Sequence, residues 1–318
     1  MTLPILVIGE ALIDVVHPQE GPVVAYPGGS PANVAITLAR LGQTAHLFAW
    51  FGSDAHGKML ADHLHQSGVE LVTGSQDAPR TSTALARLDA TGAAEYEFEI
   101  EWKLPHTNVE EEIAALHIGS IAAVMEPGAT AVAEIVRAKR EEAIITYDPN
   151  MRPLLMGEPQ SVRGRVEELV ALSDVVKVSD EDLEWLCPDE SVDAVARRWQ
   201  SLGPAVVIIT RGGTGATAIT ATQQVDVRAP KVVVADTVGA GDSFMGALID
   251  YLARNGLLAA GPREELDGHG GELSTTRKAL RAMDAETVRE LLEHAAGVAA
   301  ITVSRPGANP PWLHELSL

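Results

Sequence analysis

The stretch Asp236-Thr237-Val238-Gly239-Ala240-Gly241-Asp242-Ser243-Phe244 holds the densest chemistry in the chain. An apolar run, Val232–Ala235, leads into it and reads as a buried strand, and the helical spacing of Ala240–Ala253 starts at its end. Glycines let a backbone turn tightly and offer N–H groups at a helix N-terminus, where the helix dipole is positive. Such a turn suits phosphate oxygens and the negative charge that develops on a transferring phosphoryl group. Asp242, in the same turn, is positioned by type and spacing to take a proton from an attacking hydroxyl. Taken alone, Gly239-x-Gly241 also fits an ordinary strand-to-helix turn. A dinucleotide fingerprint fits poorly, because its last glycine would fall at Phe244 and the motif sits late in the chain. The sequence has no Walker-A pattern, G-x-S-x-G elbow or H-E-x-x-H helix.

Four further clusters offer polar groups after apolar runs. Asp14 follows the run Ile5–Ile8 and reads either as a turn residue or as an acceptor for two hydroxyls. Gly28-Gly29-Ser30-Pro31-Ala32-Asn33 reads as a helix cap and first turn with Pro31 near N1, and Asn33 offers both a donor and an acceptor. Asp148-Pro149-Asn150-Met151-Arg152 lies at the end of a strand, where open α/β sheets bind ligands. Lys177 to Asp182 and Thr210 to Ala216 follow two more such runs; Ser179-x-x-Asp182 is also an ordinary helix start.

The elements that must hold these groups alternate. Apolar runs at Ile5–Ile8, Ala45–Trp50, Ala114–Ile118, Ala143–Tyr147, Val175–Val178, Ala205–Thr210 and Val232–Ala235 predict buried parallel strands. Between them, Ala32–Leu41, Gly57–Gln66, Gly128–Arg140, Ser161–Leu172, Asp180–Trp185 and Val192–Gln200 have the spacing of amphipathic helices. Val23–Tyr26 and Thr83–Trp102 instead alternate, with a turn at Thr91-Gly92, and predict a small sheet projecting over a cleft as a lid. Gly256–Thr276 has little to bury and reads as a surface loop, after which helix returns over Asp284–Val303.

Composition narrows the partners. Apolar residues make up 46% of 318, enough for a large core, whereas aromatics are only 4%. A formal charge of −20 argues against nucleic acid and anionic membranes, which are met mainly by Lys and Arg. A polyanion would therefore need backbone amides, a few placed cations and metal ions. One cysteine, Cys187, excludes an internal disulfide and, with no signal-like N-terminus, points to the cytoplasm.

Asp236–Asp242 with Ser243-Phe244-Met245-Gly246-Ala247 resembles the C-terminal signature of the ribokinase-like (PfkB) carbohydrate kinases. Gly28-Gly29-Ser30-Pro31-Ala32-Asn33-Val34-Ala35 resembles their N-terminal one, with Gly42 and Gly52 at the expected later spacing. The resemblance runs from Gly9-Glu10 to Arg305-Pro306-Gly307-Ala308. It implies one domain over 1–318, a three-layer α/β/α fold with a mostly parallel central sheet, and lid strands from about 10–27 and 83–103. It also implies ATP, Mg2+ and a monovalent cation, K+, as ligands, and a homodimer formed through the lid. Asp242 becomes the catalytic base, with Gly239, Ala240 and Gly241 forming the anion hole. Asp14, Gly28, Gly29, Asn33, Phe98 and Arg152 become sugar contacts, and Lys177, Ser179, Thr210, Gly212, Gly215, Gly241 and Ala296 line the ATP side. Asp182 takes Mg2+ through water, helped by Asp148 and Asn150. Asp236, Val238, Thr302, Arg305 and Gly307 match the family's cation loop. Ser179 and Asp182 depart from the family's N-x-x-E.

The Gly9–Asp14 start and the D-P-N-x-R stretch resemble the fructokinase branch, and 2-keto-3-deoxygluconate kinases and ribokinases are the alternatives. In the lid, Glu95, Glu97, Glu99 and Glu101 alternate, which disfavours a carboxylate substrate unless they all face solvent. Fructose is the expected acceptor. A catalytically silent sugar-binding regulator and a nicotinamide dehydrogenase are the rivals from other classes.

Overall fold

Short β-branched runs form strands and amphipathic stretches form helices, which alternate singly or in pairs between runs of consecutive strands. The computed structural model describes residues 3–18, 21–88, 94–105, 109, 111–258 and 274–316. Among these the strands are β1 (Ile5–Ile8), β2 (Leu12–His17), β3 (Val24–Gly28), β4 (Ala45–Phe48), β5 (Glu70–Leu71), β6 (Thr83–Leu88), β7 (Ala94–Glu99), β8 (Ala115–Gly119), β9 (Ile144–Asp148), β10 (Val175–Ser179), β11 (Val206–Thr210), β12 (Ala216–Thr220) and β13 (Gln224–Val227). The helices are α1 (Ser30–Arg40), α2 (Ala55–Gln66), α3 (Gly128–Lys139), α4 (Pro153–Met156), α5 (Pro159–Leu172), α6 (Asp180–Leu186), α7 (Val192–Leu202), α8 (Ala240–Arg254), α9 (Thr275–Arg281) and α10 (Ala285–Val303).

The large sheet has the order β13-β12-β11-β10-β9-β8-β1-β4-β5. It is parallel from β5 to β11 and ends in the antiparallel hairpin β12–β13. Its strands are apolar on both faces because both are covered. In β1, Ile5 and Val7 join a core with α1, α2, α8 and α10, whereas Leu6 and Ile8 join a second core with α3, α5, α6 and α7. That gives the three-layer α/β/α arrangement, and each buried Leu or Ile contributes roughly 1.5–3 kcal/mol. A second sheet, β3-β2-β6-β7, is built from the N-terminal third of the chain. Strand β2 follows β1 after only Gly9-Glu10-Ala11, so this sheet hangs directly from an inner strand of the large one.

Three expectations need correction. Val232–Ala235 is not a strand: Val233 is 87% exposed, and the Ala235 amide, like that of Asp236 after it, donates to the Val303 carbonyl at the end of α10. Its β-branched composition mimics a strand, but the hairpin β12–β13 already occupies that edge of the sheet. Neither β12 nor β13 is among the predicted strands, because their mix of small, polar and apolar residues forms no continuous apolar run. The surface loop also ends earlier than read, because Thr275 and Thr276 begin α9 behind the Ser274 cap. Within α9, the buried Arg277 pairs with Asp174 at 2.7 Å and donates to the Ala143 carbonyl. Residues 259–273 of that loop, and the turn Thr91-Gly92, lie outside the described residues.

Candidate active site

The glycine turn arrives as an irregular, exposed segment, and α8 starts immediately after Gly239. That residue has φ +74°, and a Cβ there would lie 2.6 Å from the Cβ of Ala308, so only glycine lets the two loops meet. Helix α8 then places Asp242 in its first turn, where the positive end of the dipole favours a carboxylate. Opposite it, α1 starts at Ser30 with Pro31 in its first turn.

The two helix starts converge on the Asp242 carboxyl, which is buried. Ser30 Oγ donates to Oδ1 at 2.7 Å and Asn33 Nδ2 to Oδ2 at 2.8 Å. Asn150 Nδ2 donates to Oδ1 at 3.2 Å and to Ser30 Oγ at 2.6 Å. An acid held by three side chains from two other segments has one fixed orientation. Ser30 was read from the sequence only as a cap, and Asn150 only as a metal helper. No local signal revealed that either would face an acid more than 90 residues away.

Asp242 lies on a cavity of about 510 Å³. Asp14, Gly29, Asn33, Phe98, Arg152, Gly239, Ala240 and Gly241 share its walls, as do Val238 and Asn150. Gly28 sits behind them, with the Asp14 carboxylate packed where its Cβ would be. Burial raises the Asp14 pKa to about 6, against the opposing pull of Arg152. Tyr96, Phe98 and Ile100 close the cavity from the small sheet, and Tyr96 and Phe98 stack at 5.8 Å.

Because strand side chains alternate, Glu97 and Glu99 point away from the cavity. They are exposed and face Arg87 at 3.7 Å and Arg80 at 3.2 Å. Glu101 is exposed too, and the Glu95 side chain lies outside the described residues. Glu97 and Glu99 therefore do not repel a carboxylate in the cavity, contrary to the expectation from their alternation.

Beside the glycine turn lies a buried ion pair from the end of β9 and the middle of β10. Lys177 Nζ is 2.9 Å from Asp148 Oδ2 and also 2.9 Å from where a Gly241 Cβ would be. Burial raises the Asp148 pKa to about 6 although Lys177 pulls it down. Its Oδ1 is buried without a hydrogen-bond partner. Ser179 and Asp182 form a capping box at the start of α6. Both Asp182 oxygens accept amides, from Met151 at 3.0 Å and Ser179 at 3.4 Å.

The remaining candidates lie outside the cavity's lining. Thr210, Gly212 and Gly215 form the turn joining β11 to β12, and Gly212 borders open space. Ala296 is buried on the inner face of α10, whereas a Cβ on Gly297 would meet nothing. Asp236 accepts amides from Val238 at 3.0 Å and Gly307 at 2.8 Å, tying two loops together. Those hydrogen bonds lower its pKa. Thr302 is buried, and Arg305 pairs with Glu315. Among the described residues, no three His, Cys, Asp or Glu side chains cluster as a metal site. No described helix is long and apolar enough to cross a membrane.

This arrangement, an oriented acid at a helix start beside an amide-rich turn and a polar cavity, fits hydroxyl phosphorylation. Comparison with known proteins agrees. The profile of the pfkB family carbohydrate kinases matches residues 3–315. A fructokinase of Klebsiella pneumoniae is 33% identical over 287 residues, covering 86% of this chain and 94% of that protein. The crystal structure of a fructokinase with bound ATP from Xylella fastidiosa is 26% identical, with a TM-score of 0.77 over 97% of this chain and 94% of that one. A Vibrio cholerae fructokinase mutant, solved with fructose, ADP and potassium ion, shares the fold at 24% identity and TM-score 0.76, over 96% and 94% of the two chains. The chain therefore belongs to the pfkB family of carbohydrate kinases and is an ATP-dependent sugar kinase.

Proposed function

We propose that the protein is a fructokinase in which Asp242 is the base. The observation that carries the mechanism is the Asp242 carboxyl, oriented by Ser30, Asn33 and Asn150 at the start of α8. Fructose as acceptor is supported by the fructokinase names of the relatives. ATP supplies the phosphoryl group. Asp14, Asn33 and the backbone at Gly28 and Gly29 hold the sugar, and Phe98 covers it from the small sheet. Asp242 takes the proton of the attacking hydroxyl, while the amides of Ala240 and Gly241 receive the charge on the phosphoryl oxygens. Lys177, held by Asp148, adds positive charge beside Gly241. The turn at Thr210–Gly215 and the open face at Gly297 receive the nucleotide.

Mg2+ fits the unpartnered Asp148 Oδ1 better than Asp182, whose oxygens are both engaged by amides. A monovalent cation fits the loops joined by Asp236, through backbone carbonyls near Val238, Thr302, Arg305 and Gly307. The chain is one kinase domain with its small sheet as lid, pairs with a second copy through that lid, and works in the cytoplasm.

The test is ADP release with ATP, Mg2+ and K+ across fructose, ribose, 2-keto-3-deoxygluconate, fructose phosphates and adenosine. Fructose should give the highest kcat/KM. A higher value for any other acceptor overturns the substrate, and silence on the whole panel overturns the acceptor class.

A further inference from the structure

The approach to the glycine turn lacks the support given to the other side of the site. Asp148 and Lys177 sit on paired strands of the large sheet, whereas residues 232–239 pair with no strand. They lean instead on the last residues of the chain. The Ala235 and Asp236 amides donate to the Val303 carbonyl at 2.8 and 3.2 Å, and the Gly307 amide donates to Asp236 Oδ2 at 2.8 Å. Gly239 lies against Ala308 with no room for a Cβ between them. The turn therefore takes its place from a strap, residues 304–313, that runs on from the end of α10.

Arg40 fastens that strap. It sits in the last turn of α1, about 15 Å along the helix from Ser30, and does not line the cavity. Its Nη1 donates to Asn309 Oδ1 at 2.6 Å and to the Pro310 carbonyl at 2.8 Å, and its Nε donates to Ser67 Oγ at 3.2 Å. The guanidinium also lies over the Trp312 ring, 5.2 Å from its centre. A planar fork of donors can make these contacts together, which an ammonium cannot. The strap is closed on itself as well: Arg305 pairs with Glu315 at 2.6 Å, and Glu315 accepts the Trp312 amide at 2.8 Å.

Resting on the phosphoryl-transfer reading above, we propose that Arg40 is a positioning residue for the reaction. By clamping the strap to α1 it seats the glycine turn, so that the Ala240 and Gly241 amides meet the phosphoryl group. Helix α1 thereby serves the transfer at both ends: its start orients Asp242, and its end fixes the turn that carries Asp242. Amides stabilise developing charge only where they are preorganised, and a misplacement of about 1 Å can cost about a hundredfold in rate.

The experiment measures amide hydrogen exchange and the single-turnover rate of phosphoryl transfer in the wild type and Arg40→Met, which keeps an apolar stem and removes the donors. The amides of Ala235, Val238, Ala240 and Gly307 should exchange about tenfold faster in the variant, while β8, β9 and β10 keep their protection. Transfer from ATP to fructose should slow about ten- to a hundredfold, with the fructose KM within about threefold, because the side chains that hold the sugar lie outside the strap. Unchanged exchange in the turn overturns the proposal, and so does faster exchange with a normal transfer rate. Faster exchange over the whole chain reduces Arg40 to a stability role and overturns it too. If the wild type prefers another acceptor, fructose is lost and the same comparison is read with that acceptor. Silence on every acceptor overturns the acceptor class, and exchange alone then decides whether Arg40 seats the turn. Should Arg40→Met not fold, Asn309→Ala removes a partner of the clamp and should slow transfer about threefold with the same exchange pattern. An unchanged rate in that variant overturns the proposal.

Discussion

Asp242 takes its geometry from neighbours that belong to distant parts of the sequence. Ser30 and Asn33 come from α1 and Asn150 from the end of β9, and all three donate to the same carboxyl. Replacing Asp242 with Asn keeps the size and removes the proton acceptor. Turnover should fall roughly a hundred- to ten-thousandfold, while the sugar Kd by calorimetry stays within about threefold. Near-normal turnover would remove Asp242 as the base. The acid itself was legible in the sequence, because a carboxylate in a Gly-x-Gly turn is a local pattern. Ser30 and Asn150 were not, since an acid's hydrogen-bond partners depend on tertiary approach. The glutamates of the small sheet show the same limit in reverse. Their alternation was visible, but which face meets the cavity is a matter of register against β6.

At the level of elements, the site depends on how closely α1 and α8 approach. Gly246 makes that approach possible: a Cβ there would lie 2.6 Å from Thr37 Cβ and 3.3 Å from the Val34 carbonyl oxygen. Gly246→Ala should push the helices apart, costing about 1–3 kcal/mol in denaturant unfolding. Because α1 carries Asn33 and α8 carries Asp242, kcat should fall with stability. A stable variant with normal kcat would mean that the contact relaxes without reaching the site. Most elements were legible, since buried strands and amphipathic helices differ in period. The failures have local causes. Val232–Ala235 has a strand's composition without an edge to pair with, and β12–β13 is a hairpin of small and polar residues such as Thr217 and Gln224. Helix α9 owes its place to Arg277 and Asp174, an ion pair between residues 103 apart.

For the whole molecule, two cores share one sheet, and alternate residues of β1 enter each. Loss of either core exposes the other face of the same strands. Calorimetric unfolding should therefore follow one transition, with the small sheet melting alongside the rest. Two resolved transitions would show the small sheet to be a separate folding unit. Fructose at a hundred times its Kd should raise stability by about 2.7 kcal/mol.

The two sheets also divide the chain by position. The cavity wall drawn from β2, β6, β7 and the start of α1 is complete by Ile100, whereas Asp148, Lys177, the Gly212 turn and Asp242 all come later. The rest of that cavity's wall, with Ser120, Asn150, Arg152 and Leu154, comes from later in the chain. A chimera carrying the first hundred residues of a relative would exchange the small-sheet wall and leave the later wall in place. Divergence within such a lineage can proceed by editing one wall at the front of the gene while the opposite wall is inherited unchanged.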